Sequence, residues 1–455
     1  MLYINIAMFN LESYCGELWS QIEISPLGDY KICCLSNYAK DYGMAYDKNG
    51  KVMNVMTHSI QEAINSETHK SHRLELKENI KVQRCRNCYD SEHSSKGTDD
   101  WEDEGLKTWG TSKRQRIINV TMKDIPEYVS CDQADEFTLP DGSVTSKVVS
   151  LGIRLGNSCN QKCIMCSPEF STLWYDDYES IYGTNAVGFG GYKKYNIGKN
   201  KHGRNTLDFV KWWEQDIWWE RLEEIAPDLR HIYMSGGEPL IVPAMQEILD
   251  RLIARDCAKN IVLRFDTNLS AVNNKVIEKF KHFRRVDFCV SMDDVGERYE
   301  LIRFPGKYNT IIDNIKKLQA NGLDIHYLSC CIGLASIYSP VRVAELTEQL
   351  GINANFFRIL EGPDWIDIRS LPRSAKQEII DYYNSLMHHG KQRTKWYKTV
   401  IKLLEKYMDY ERPDRIQKFV KIMDKFDKIR GTDWHSTLPD IYDLLNRHCA
   451  EALKT

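Results

Sequence analysis

From about residue 146 onward, short strand-like runs alternate with amphipathic helical stretches, and this alternation leaves few folds open. Val149, Leu151, Ile153 and Leu155 alternate along a first strand. Further runs follow at Ile232–Met234, Ile261–Phe265, Val286–Val290, Ile325–Tyr327 and Phe356–Leu360. Between them, Met245, Ile248, Leu249, Leu252 and Ile253 share one helical face, and Ile311, Ile312, Ile315 and Leu318 share another. Six strands alternating with helices imply a parallel sheet, open or closed into a barrel. In such folds the chemistry sits at the C-terminal strand ends.

The end of the first strand carries Cys159-Asn160-Gln161-Lys162-Cys163-Ile164-Met165-Cys166. A thiol triplet this tight can hold a metal, yet it is one ligand short of a closed tetrahedral site. An iron–sulfur cluster held by three cysteines keeps one iron open to a small molecule, which is a chemical reason for the missing ligand.

The remaining composition is ordinary for a soluble globular chain. Its 455 residues suffice for two or three domains, and a net charge of −3 carries no global signature of nucleic-acid or membrane binding. The stretch Met1–Ile6 lacks a basic segment followed by an apolar run, and no transmembrane helix is evident. A reducing, cytoplasmic setting is expected. The fourteen cysteines are clustered, which without a secretion signal favours metal over disulfides.

Residues 1–110 form a first unit. Ile22 and Ile24 lead into Pro26-Leu27-Gly28-Asp29, and Tyr30 and Ile32 lead out, which predicts a hairpin. Cys15 precedes it, Cys33 and Cys34 end it, and Cys85-Arg86-Asn87-Cys88 follows. Cys15, Cys33 or Cys34, Cys85 and Cys88 would make a closed four-thiolate site. Zinc and a four-cysteine cluster both satisfy that count. Residues 111–145 form a polar linker, and 146–371 the strand–helix core. The segment 183–205, rich in Gly, Lys and Tyr, is expected to be a solvated loop or lid. Trp212, Trp213, Trp218 and Trp219 are expected to pack in a core. Residues 372–455 form a helical extension without a catalytic constellation. Cys131 and Cys449 have no assigned role.

Cys159-x3-Cys163-x2-Cys166 after a first strand resembles the signature of the radical SAM superfamily. The resemblance implies a partial (β/α)6 TIM-like barrel and a [4Fe–4S] cluster whose fourth iron binds S-adenosylmethionine. Gly236, Gly237 and Glu238, in Ser235-Gly236-Gly237-Glu238-Pro239, look like the family's GGE motif, implying a contact to the substrate ammonium. Asn268 falls where the family places polar groups near the methionyl part, Ser291 and Asp293 near ribose. Arg303 follows in a segment resembling one near the carboxylate, and Cys331 falls where adenine would lie. Met165 departs from the family's aromatic residue before the third cysteine, and a thioether can fill that apolar role.

The N-terminal cysteines resemble the SPASM/twitch pattern, and the spacing from Gly28 favours Cys33 over Cys34. The resemblance implies one auxiliary [4Fe–4S] cluster, carried by a twitch-like domain ahead of the core. The segment Asp427–Trp434 also resembles the tail of N-terminal-twitch radical SAM proteins. The class implies an external electron donor of the flavodoxin or ferredoxin type. Its substrate would be a peptide or protein, or alternatively a nucleoside, sugar or RNA. A non-catalytic iron–sulfur or zinc scaffold is the rival from another class.

Overall fold

All six expected strands of the core form in a computed structural model of the chain. It describes residues 9, 13–36, 43–86, 88–89, 122–182, 197–199, 205–207, 211–352, 355–360, 362–388 and 391–454. Two units cluster by internal contact: residues 1–156, 209–265 and 274–286, and residues 157–208, 266–273 and 287–455.

In the first unit the expected hairpin forms, with β1 (Gln21–Ile24) antiparallel to β2 (Tyr30–Lys31). β1 also lies parallel to β3 (Ser150–Arg154), with Gln21 opposite Ser150 and Ile24 opposite Ile153. β3 pairs in parallel with β6 (His231–Ser235), and β6 with β7 (Val262–Thr267). The N-terminal hairpin therefore extends the parallel sheet rather than standing apart from it. Gly152 permits the β1–β3 contact: a Cβ there would lie 2.0 Å from Glu23 Oε2. Glu23 is buried and lies 3.2 Å from Arg154 Nε.

The hairpin turn is locked by tryptophan. Gly28 sits at φ +84°, and a Cβ there would approach Trp212 Cδ1 to 2.9 Å. Trp212 Nε1 donates to Pro26 O at 3.1 Å. Its ring meets Trp218 edge-on at 4.9 Å. Trp218 and Trp219 belong to α4 (Asp216–Ile225), which follows α1 (Glu17–Ser20), α2 (Glu67–Lys77) and α3 (Trp174–Tyr182) in the chain. All four tryptophans are buried, as expected of core residues. The first unit also holds α5 (Pro243–Ala254) and α6 (Asn274–Phe280), completing the β6–α5–β7–α6 alternation.

In the second unit, β8 (Arg285–Ser291, from Asp287 onward), β9 (Ile325–Ile332) and β10 (Asn355–Ile359) run in parallel order. α7 (Gly296–Ile302), α8 (Tyr308–Ala320) and α9 (Ser339–Gln349) connect them. The alternating expectation of a parallel α/β core is thus met strand by strand.

The helical extension comprises α10 (Arg373–Ser385), α11 (Lys391–Lys406), α12 (Pro413–Arg430) and α13 (Pro439–His448). Pro413 opens α12, where its missing N–H costs nothing, and Gly431 ends it at φ +66°. Phe426 of α12 packs against Trp174 (5.5 Å between ring centroids) and Trp365 (6.2 Å).

The 183–205 segment differs from the expected loop. Ile197–Lys199 and Asn205–Leu207 pair as an antiparallel ladder, β4 and β5, with Ile197 opposite Leu207. Strands this short lack a legible period of two. Residues 183–196 and 200–204 lie outside the described residues. No helix among the described residues is long and apolar enough to cross a membrane.

Candidate metal centres

The cysteine loop is held from both sides by its own unit. Lys162 N donates to Phe304 O at 2.6 Å, and Ile164 N to Ile302 O at 2.9 Å. Trp174 Nε1 donates to Cys163 O at 2.9 Å. Gln161 Nε2 reaches Tyr299 Oη at 3.2 Å, and Gln161 O accepts from Ser171 Oγ at 2.5 Å. Lys162 Nζ pairs with the buried Asp177 at 2.6 Å. These bonds pin the backbone between Cys159 and Cys166, so the three thiols need not be ordered by a metal alone.

Cys163 is buried and sits beside a fixed cation. Arg303 Nη1 donates to Cys163 Sγ at 3.7 Å, while Arg303 Nε lies 2.7 Å from Asp293 Oδ2. Asp293 is fully buried, and its other oxygen accepts from Cys331 N at 2.7 Å. Burial pushes the Cys163 thiol up; Arg303 and, more weakly, Arg430 pull it back, while Asp293 opposes them. Cys166 is pushed well up by burial and by the neighbouring Cys163 and Cys159. Three thiolates gathered here require positive charge, and a cluster's iron would supply most of it.

Asn268 Nδ2 lies 4.0 Å from Cys159 Sγ and donates to Asn160 Oδ1 at 2.9 Å. Ser291 closes β8, half-buried. Cys159, Cys163, Cys166, Asn268, Ser291, Asp293, Arg303 and Cys331 all fall in the second unit. Gly236, Gly237 and Glu238 fall in the first, directly after β6. Gly236 sits at φ +126°, with Gly156 O 3.2 Å from where a Cβ would stand. Glu238 is buried, and its Oε1 accepts from Leu240 N at 3.0 Å, capping a turn of 3-10 helix.

The N-terminal cysteines also converge. Cys15, Cys33, Cys85 and Cys88 line one cavity, together with His72 and Glu17. Cys34 is not in that lining. Cys15 precedes α1, Cys33 follows β2, and Cys85 ends a 3-10 turn (Gln83–Cys85). Burial, Glu17, Cys85 and Cys88 together push the Cys15 thiol well up. His72 Nε2 lies 3.4 Å from Cys85 Sγ. Four thiols around one cavity, with a hydrogen-bonding imidazole beside them, fit a thiolate-ligated metal group.

Several of these partners were not evident from sequence. His72 was hidden on α2, where a histidine on a buried face reads as core. Asp177 and Trp174 belong to a helix whose pattern signals packing only. Arg430 lies in the Asp427–Trp434 segment, with a C-cap glycine next to it and nothing local to mark a role.

Residues 153–335 match the family model of the radical SAM superfamily, and residues 15–89 match SPASM, an iron–sulfur cluster-binding domain. No curated protein matches the chain. Among solved structures, anSMEcpe with bound AdoMet is similar at 15% identity and a TM-score of 0.34, over 52% of this chain and 59% of that one. SuiB of Streptococcus suis bound to S-adenosylmethionine is similar at 11% identity and a TM-score of 0.33, over 84% of this chain and 69% of that one. The chain thus spans about three-fifths of the length of the first of these. Residues 153–335 thus carry a radical SAM domain, with a SPASM-type iron–sulfur cluster-binding domain at residues 15–89 ahead of it. The class brings a [4Fe–4S] cluster and S-adenosylmethionine, and the SPASM domain an auxiliary iron–sulfur cluster.

Proposed function

We propose that Cys159, Cys163 and Cys166 hold a [4Fe–4S] cluster at which the chain cleaves S-adenosylmethionine for radical chemistry on a peptide or protein. The observation that carries this is the Cys163 thiol beside the Arg303–Asp293 pair, inside the span matching the radical SAM superfamily. Held by Cys159, Cys163 and Cys166, the cluster would supply the low-potential electron for reductive cleavage of S-adenosylmethionine, chemistry that no side chain of the chain offers.

The chain's own residues hold and shield. Arg303 offsets thiolate charge at Cys163. Gln161, Lys162 and Ser171 fix the loop. Buried Ile164 and Trp174 keep water from the sulfurs. Gly236, Gly237 and Glu238 are assigned to the methionyl ammonium, Asn268 to the methionyl part, and Ser291 and Asp293 to ribose, although Asp293 is fully buried with one oxygen on Arg303 and the other accepting from Cys331 N. Cys15, Cys33, Cys85 and Cys88 are assigned to one auxiliary [4Fe–4S] cluster, which would carry an electron or anchor substrate. A low-potential donor of the flavodoxin or ferredoxin type supplies the electron.

The peptide reading rests on the SPASM match at residues 15–89 and on what the resemblance to SPASM/twitch proteins implies, since members of that group often modify ribosomally made peptides. A short precursor-peptide reading frame beside this gene would support it. Binding is tested by electron paramagnetic resonance of the reduced, iron-loaded chain. Addition of S-adenosylmethionine should change the cluster signal, because the open iron gains ligands. An unchanged signal would contradict the reading.

A further inference from the structure

We propose that Arg430, at the end of α12 in the C-terminal extension, is a positioning residue that raises the reduction potential of the cluster held at Cys163. The inference rests on the proposed cluster site, but on Arg430 and Asp177, to which that reading gave no role. The Arg430 side chain is 1% exposed. Its Nε donates to Asp177 Oδ2 at 2.9 Å. Its Nη1 and Nη2 are buried without a hydrogen-bond partner among the described residues. The guanidinium lies 3.9 Å from the Phe426 ring, 5.4 Å from Trp174 and 5.5 Å from Phe304.

Two of those rings belong to the residues that hold the cysteine loop. Trp174 donates to Cys163 O, and Phe304 O accepts from Lys162 N. Asp177 binds Arg430 and Lys162 alike, so one carboxylate joins the C-terminal helix to the loop between Cys159 and Cys163. A buried guanidinium with two unsatisfied nitrogens is costly to keep. An anionic iron–sulfur cluster held in this unit would supply compensating negative charge. A cation held there stabilises the reduced cluster, which carries one more negative charge, and so favours electron entry from a low-potential one-electron donor.

The test uses the full-length, iron-loaded chain as wild type, Arg430→Gln and Arg430→Lys. Each is titrated with dithionite while the signal that responds to S-adenosylmethionine is followed by electron paramagnetic resonance. Arg430→Gln should weaken one-electron reduction about tenfold, a midpoint more negative by about 59 mV. Arg430→Lys keeps the charge but loses the planar fork, and should fall between the two. Should Arg430→Gln load no iron, the uncharged Arg430→Met decides: a midpoint below wild type supports the proposal, and an equal one overturns it. Equal midpoints in all three defeat this inference alone. Absence of any S-adenosylmethionine-responsive signal in the wild type would instead defeat the proposed function.

Discussion

Arg303 shows how single residues combine at this site. Its guanidinium touches Cys163 with one nitrogen and the fully buried Asp293 with another. Removing one partner of a buried pair leaves an uncompensated charge. Arg303→Met should therefore cost about 3–5 kcal/mol in denaturant unfolding. Arg303→Met with Asp293→Asn should recover much of that loss, and equal losses would argue against the pairing. Glu169 offers a second check. Burial pushes its carboxyl up to about 8 from an ordinary 4.5. The folded chain then holds a proton the unfolded chain releases, so Glu169's contribution is fully present below about pH 4.5 and is lost as pH rises toward 8. Glu169→Gln should flatten the stability profile across that window. The cysteines were legible at this scale because spacing alone places them together. The Arg303–Asp293 contact was not, since it depends on how the end of β8 meets the residues after α7.

At the scale of elements, periodicity was the readable quantity. Val149–Leu155 gave β3 because Val149, Leu151, Ile153 and Leu155 alternate, and Val286–Val290 gave β8, where Val286, Phe288, Cys289 and Val290 are apolar around a single Asp287. β9 runs on to Ile332, past the expected Tyr327, because Cys330 and Cys331 continue the ladder opposite Phe357 and Arg358. The β4–β5 ladder was invisible among glycines and lysines. The N-terminal hairpin was legible, but its parallel seat on β3 was not, as Gly152 makes room for Glu23 across a long sequence gap. Gly28→Ala tests the turn at the centre of that hairpin. The left-handed φ costs roughly 1–2 kcal/mol, and the clash with Trp212 adds roughly 1–3 kcal/mol. A melting temperature unchanged from wild type would mean the turn relaxes freely.

For the whole molecule, the lesson concerns the ends of the chain. The C-terminal extension read as packing only, because amphipathic helices carry no mark of what they cover. The structure brings its Arg430 to the residues that hold Cys163. The N-terminal cysteines read as zinc or iron–sulfur by count, and the match to an iron–sulfur cluster-binding domain favours iron. Anaerobic reconstitution should give about eight iron and eight sulfide per chain, two clusters' worth. Cys85→Ala with Cys88→Ala should leave about four of each. Zinc in place of the missing four would contradict the auxiliary cluster while leaving the core site intact.

The most direct test follows the adenosyl product itself. The iron-loaded chain, reduced with dithionite and given S-adenosylmethionine, should form 5′-deoxyadenosine detectable by chromatography and mass spectrometry. Cys163→Ala should form none. Product from an iron-loaded Cys163→Ala variant at the wild-type level, or none from the fully loaded wild type, would contradict the account.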